Sequence, residues 1–165
     1  MTENELRTII ENKKLPKDEL DNLGDNVMGY LPLLLLLLVA KDNIPALLIV
    51  LILIFYTFYC KIHERDLIAI PFQNTNAVAL LEITKIAERE QWTVKFQDLF
   101  VGEYYIPFVF GQPSHKLTVI LTEEVLFVNV RNIGTSKGRF PYLFGTDTIC
   151  KNKVIRLIEN HFESH

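Results

Sequence analysis

Between Val27 and Cys60 the chain is almost wholly apolar, interrupted only by Lys41, Asp42 and Asn43. Such a stretch has few folds open to it, because its side chains must leave water wherever the backbone goes. The first run, Val27 to Ala40, contains the six leucines Leu33 to Leu38, and the second, Ile44 to Cys60, reads IPALLIVLILIFYTFYC. A span needs about 20 apolar residues, and these runs hold 14 and 17. Each therefore borrows interfacial neighbours, Gly29 and Tyr30 on one run and Tyr56, Tyr59 and Lys61 on the other. A three-residue polar turn sets the two helices side by side and antiparallel. Asn43 suits a cap, and Pro45 suits the first turn that follows it.

A signal peptide would begin nearer the N-terminus and end in a small-residue cleavage site. Burial inside a soluble protein would need more covering chain than residues 66–165 supply. The expectation is a transmembrane hairpin over 27–62. Arg7, Lys13, Lys14 and Lys17 precede it, Lys61 and Arg65 follow it, and only Lys41 lies in the turn. That bias predicts both termini in the cytosol. No charge lies inside either run, so neither carries an ion pathway of its own.

The net charge is −3, with the acidic excess in the first 26 residues, which hold seven Asp/Glu against four Lys/Arg. From Asp66 onward the counts are ten basic and eleven acidic, too balanced to track a long nucleic acid. Cys60 and Cys150 stand far apart without CxxC spacing and read as reduced thiols. Three regions result: a cytosolic N-terminal segment 1–26, the hairpin 27–62, and a cytosolic α+β ligand-binding domain 66–165.

In the N-terminal segment, Leu6, Ile9 and Ile10 among charges predict a short amphipathic helix over Thr2–Lys14, read as a solvated cap or oligomer contact. In the third region, Leu67 to Ile70 reads as a strand stopped by Pro71. A helix follows from Asn76 to Gln91, with Ala79, Leu80, Ile83, Ile86 and Ala87 on one face. Trp92, Val94 and Phe96 alternate as in a strand. Tyr104 to Phe110 reads as an edge or bulged strand because of Pro107. Leu117–Leu121 and Val125–Val130 form a hairpin through Thr122-Glu123-Glu124. A last helix starts at Thr146 or Asp147 with Ile149, Val154, Leu157, Ile158 and Phe162 inward. The order β-α-β-β-β-β-α predicts an antiparallel sheet with two helices on one face.

No Walker A run, G-x-G-x-x-G fingerprint or G-x-S-x-G elbow occurs. His63, His115, His161 and His165 make no metal spacing. The reading is a non-enzyme without cofactor or metal; a hydrolase would have to start from Ser114 and His115. Two loops carry binding chemistry instead. One holds Gln112, Ser114, His115 and Lys116; the other holds Arg131, Asn132, Thr135, Ser136, Lys137 and Arg139. In the second, glycines let backbone N–H groups approach an anion, hydroxyls donate, and three basic residues neutralise charge. It leads through Phe140, Tyr142 and Phe144, which can stack on bases, into a helix N-terminus.

The layout as a whole, YLPLLLLLLVAKDNIPALLIVLILIFYTFYC followed by an α+β domain, resembles the small membrane effectors associated with type III CRISPR systems. The resemblance covers the chain in outline and carries over no residue by identity. It implies a bacterial inner-membrane protein with a cytosolic domain that binds a cyclic oligoadenylate, cyclic tetra-adenylate, as a homo-oligomer, a tetramer, and perturbs or depolarises the membrane. Four copies of one basic loop would match the ring's four phosphates. The alternative is a membrane-tethered pleckstrin-like module using the same loops for lipid headgroups or a protein partner.

Overall fold

The computed structural model describes residues 3–17, 23–72, 75–107, 113–133 and 146–163. Within them lie five helices and one five-stranded antiparallel sheet, an α+β architecture. The elements run α1 (Glu3–Asn12), α2 (Leu23–Ala40), α3 (Ile44–His63), β1 (Ile68–Pro71), α4 (Asn76–Arg89), β2 (Thr93–Gln97), β3 (Val101–Pro107), β4 (Pro113–Leu121), β5 (Val125–Asn132) and α5 (Thr146–Glu163).

The apolar stretch forms the two helices expected, α2 and α3, packed against each other. Asn43 caps α3 by accepting from the Ala46 N–H at 3.2 Å, which satisfies one of the orphan donors of its first turn. Leu33, Ala40 and Val50 are buried, whereas Leu38, Val39, Ile52, Phe55 and Phe58 stay exposed. Thr57, buried within α3, returns its hydroxyl to the Leu53 carbonyl at 2.7 Å and so leaves no polar group unsatisfied. Among the described residues one helix, α3, is long and apolar enough to cross a membrane; the apolar part of α2, Tyr30–Ala40, is shorter.

The sheet has the strand order β1-β5-β4-β3-β2. Alternation sends Ile70, Tyr104, Leu117, Val119, Leu126, Val128 and Val130 to one face, where α4 and α5 cover them with Ala79, Ile83, Ile86, Val154 and Ile158. Each large side chain buried there contributes roughly 1.5–3 kcal/mol relative to exposure. At the far end of this layer Phe72 meets Phe162, and His161 Nε2 lies 2.7 Å from Glu82 Oε2, tying α5 to α4.

The other face is covered as well. Leu67, Val101, Ile120 and Phe127 form a second cluster with Ile9 of α1 and Leu15. The two helices expected on one face, α4 and α5, are there, and a third element, α1, covers the opposite face. The reason is that Val101, Ile120 and Phe127 make this side of the sheet as apolar as the first, so it too requires a cover. The N-terminal helix supplies it rather than standing solvated.

Three further corrections are local. Strand β3 starts at Val101 rather than Tyr104 and lies inside the sheet, which overturns the edge reading, while the register shift between Ile106 and Pro107 agrees with the bulged one. Strand β4 starts at Pro113 and β5 runs to Asn132, so Ser114, His115, Lys116, Arg131 and Asn132 belong to paired strands rather than to loops. Ile149, expected inward, is 69% exposed, and Ile155 takes the buried position. Backbone pairing decides the first two, and the side of α5 that packs on the sheet, with Val154, Ile155 and Ile158 buried, decides the third. Neither is written in the local periodicity.

Candidate functional site

The polar chemistry of the described chain concentrates where α3 meets the sheet. The last turn of α3 carries Lys61 and Glu64, whose ammonium and carboxylate stand 2.5 Å apart, with Glu64 only 7% exposed. The backbone then turns through Arg65 and Asp66 into β1. Asn129, fully buried on β5, reaches across this turn, and its Nδ2 donates to the Glu64 and Asp66 carbonyls at 3.0 Å each. Lys151 of α5 donates from Nζ to the same Asp66 carbonyl at 3.2 Å. The N-terminal segment closes the junction. Leu15 N–H donates to the Arg65 carbonyl and Leu67 N–H to the Lys13 carbonyl, both at 2.9 Å, and Arg65 Nη1 donates to the Leu15 carbonyl at 3.2 Å.

The Asp66 carboxylate is the electrostatic centre of the turn. Its Oδ2 lies 2.5 Å from His63 Nδ1, and Lys14 Nζ stands 3.3 Å from Oδ1 as an ion pair rather than an aligned hydrogen bond. Burial works to raise its pKa, but His63 and Lys14 outweigh that and hold the carboxyl below its usual range. Burial lowers the pKa of the Lys151 ammonium, with the charge of Asp66 acting against it. These contacts bind α3, β5, α5 and the N-terminal segment 13–15 to the turn that leads into β1.

The sequence-predicted ligand residues divide. His115 pairs with Asn132 and Lys116 with Arg131 across β4 and β5, and adjacent positions on a strand face opposite sides. His115 and Asn132 accordingly lie on the α4–α5 side, Lys116 and Arg131 on the other. His115, Asn132 and Arg131 are buried. Lys116 donates to Glu103 Oε1 at 3.0 Å, and Lys95 approaches Glu103 Oε2 at 3.5 Å while standing over the Tyr105 ring. Burial pushes the Glu103 carboxyl up, and the two ammonium groups bring it net below its usual range. The side chain of Ser114, and Gln112, Thr135, Ser136, Lys137 and Arg139 entirely, lie outside the described residues. The structure thus brings together two cross-strand pairs, not one cluster.

The stems of both predicted loops nonetheless sit together. Pro107 pairs with Pro113, and His115 with Asn132, so the strand ends next to both loops lie at one end of the sheet. The α3 junction lies at that same end, since Ile68 pairs with Val128 and the chain before it runs towards Val130. A cleft of about 430 Å³ separates the last turn of α3 from the first turns of α5, lined by Tyr59, Cys60, His63, Thr148, Lys151 and Asn152 among others. A smaller pocket of about 230 Å³ lies between Trp92, Ile106, His115 and Cys150. Among the described residues no group of His, Cys, Asp and Glu could hold a metal ion.

Sequence reasoning missed Asn129, Glu64, Asp66 and Lys151. One signal was available for Asn129: it is the polar interruption of the run Val125-Leu126-Phe127-Val128-Asn129-Val130. A buried amide in such a run needs partners from outside its own strand. No family model, curated protein or solved structure matches the chain.

Proposed function

We propose that the chain is a membrane-anchored effector whose α2–α3 hairpin sits in the bilayer with both termini in the cytosol. Its α+β head converts the binding of an anionic ligand into a movement of the hairpin. The observation that supports this most is the Asn129 bridge: a buried side chain of the sheet holds the turn at the end of α3 by two hydrogen bonds. A change in the sheet is then felt at the helix, because packed cores and hydrogen-bonded turns shift as units. The exposed apolar surface of α3 supports the bilayer assignment, since no covering element meets Ile52, Phe55 or Phe58 among the described residues.

For the ligand, the reading follows the resemblance to the CRISPR-associated effectors: a cyclic oligoadenylate, bound by a tetramer through the 131–139 segment, leading to a leaky or depolarised membrane. The detergent-purified full chain, titrated calorimetrically with cyclic tetra-adenylate, tests it. Binding at micromolar concentration or tighter, lost in Lys137→Glu and Arg139→Glu, is the expected result. Silence in that titration, with preferential binding of anionic liposomes, overturns it.

One observation favours the second reading, a tethered module whose loops meet lipid headgroups. The strand ends that flank both loops, Pro107, Pro113 and Asn132, lie at the end of the sheet where α3 arrives, the side on which basic and aromatic loop residues would meet headgroups.

A further inference from the structure

We infer that the cleft between the last turn of α3 and the first turns of α5 is a binding site for the headgroup phosphate of an anionic phospholipid from the same bilayer. The inference rests on the reading that α3 crosses that bilayer, and it is separate from the soluble ligand of the loops. Depth comes first. Tyr59 and Cys60 close the apolar run of α3, the position at which an aromatic belt meets the headgroups. Thr148, Lys151 and Asn152 line the same cleft as these residues. The first turns of α5 are therefore held at headgroup height, beside the helix rather than below it.

Charge and donors come next. The two carboxylates in the cleft are already matched, Glu64 by Lys61 and Asp66 by Lys14 and His63. The Lys151 ammonium donates to a neutral carbonyl, that of Asp66, and among the described residues no carboxylate forms an ion pair with it. Burial disfavours that charge, so an arriving anion gains more from it than from a solvated surface lysine. The Asn152 amide can donate to a remaining phosphate oxygen, while the Thr148 hydroxyl is taken by Tyr56 of α3 and holds the first turn of α5 against that helix. A volume of about 430 Å³ matches the size of a phosphoglycerol headgroup, with Ile68 and Val130 among the apolar lining. Basic clefts beside membrane helices on the cytosolic side select anionic lipids in this way.

The test uses the full chain in nanodiscs holding equal amounts of phosphatidylglycerol and phosphatidylcholine, with retained lipid read by native mass spectrometry after release. Phosphatidylglycerol is expected to stay preferentially on the wild type. Lys151→Gln should lower that preference about five-fold, the equivalent of ~1 kcal/mol for one basic group near the surface. Asn152→Leu, which removes the exposed amide donor of the same cleft, should lower it in the same direction and guards against a misfolded Lys151 variant. Lys153→Gln, exposed and outside the cleft, should leave it unchanged. Equal retention of the two lipids overturns the inference, as does an equal loss in the Lys151 and Lys153 variants. Displacement of the lipid by millimolar glycerol phosphate would assign the cleft to a soluble phosphate instead. A chain that does not enter the membrane fraction at all removes the anchor reading itself, and that outcome is scored separately by membrane flotation.

Discussion

Replacing Asn129 by alanine removes the side chain that bridges the sheet to the end of α3. Two amide-to-carbonyl hydrogen bonds of 3.0 Å are lost, to Glu64 and Asp66. At ~1 kcal/mol each, with a small cavity added in a fully buried site, the junction should weaken by about 2–3 kcal/mol. The Lys151 bond to the Asp66 carbonyl remains and keeps the turn from dissolving altogether. A loss of ~2 kcal/mol multiplies the local opening equilibrium by about 30. Amide hydrogen exchange of the detergent-purified chain reads this directly. The Leu15 and Leu67 amides, bonded to the Arg65 and Lys13 carbonyls on either side of the turn, should exchange about 30-fold faster, by the same conversion. Amides in the β3–β4 ladder should keep their protection. Asn129→Asp preserves the shape but replaces donor by acceptor, and should open the turn further. Unchanged exchange at Leu15 and Leu67 would refute the reasoning. So would a uniform rise over the whole sheet, since Asn129 would then be an ordinary core residue rather than a clamp.

Acid should loosen the α4–α5 contact. Lys85, then His161, hold the Glu82 carboxyl at about 2 against an ordinary 4.5. Its stabilising effect is present above the ordinary value and disappears as pH falls towards 2. Melting temperature followed from pH 5 to 2 should therefore fall more steeply in the wild type than in Glu82→Gln, and parallel curves would contradict the assignment. Asp66 and Glu103, also held low, add to the wild-type slope in the same direction. At Gly102 a Cβ would stand 2.8 Å from Cε2 of the buried Tyr104 ring. Gly102→Ala should accordingly cost about 1–3 kcal/mol, the usual range for overpacking, measured by chemical denaturation; an unchanged midpoint would mean the ring moves freely.

Much of this architecture is legible in the amino-acid order. The apolar stretch with its three polar residues specifies two helices and a short turn, and Asn43 takes the capping role its position suggests. Ala79, Leu80, Ile83, Ile86 and Ala87 line the buried face of α4 as their spacing requires. The Thr122–Glu124 turn joins β4 to β5 in register. What stayed hidden depends on contacts between distant segments. Nothing local says that Ile9 and Leu15 will meet Val101, Ile120 and Phe127, or that His115, Lys116, Arg131 and Asn132 will extend a ladder. Gly, Ser and basic residues near a strand end look like loop chemistry until pairing partners are known. The junction was illegible for the same reason: Asn129 lies 63 residues from Asp66 in sequence, and only the fold makes them neighbours.

Whether α3 lies in lipid with the sheet fixed to its end is tested most directly by floating carbonate-washed membranes from cells that express the full chain. The account predicts that the protein rises with the lipid and resists the alkaline wash. Recovery from the unwashed soluble fraction, as a monodisperse monomer without detergent, would contradict it.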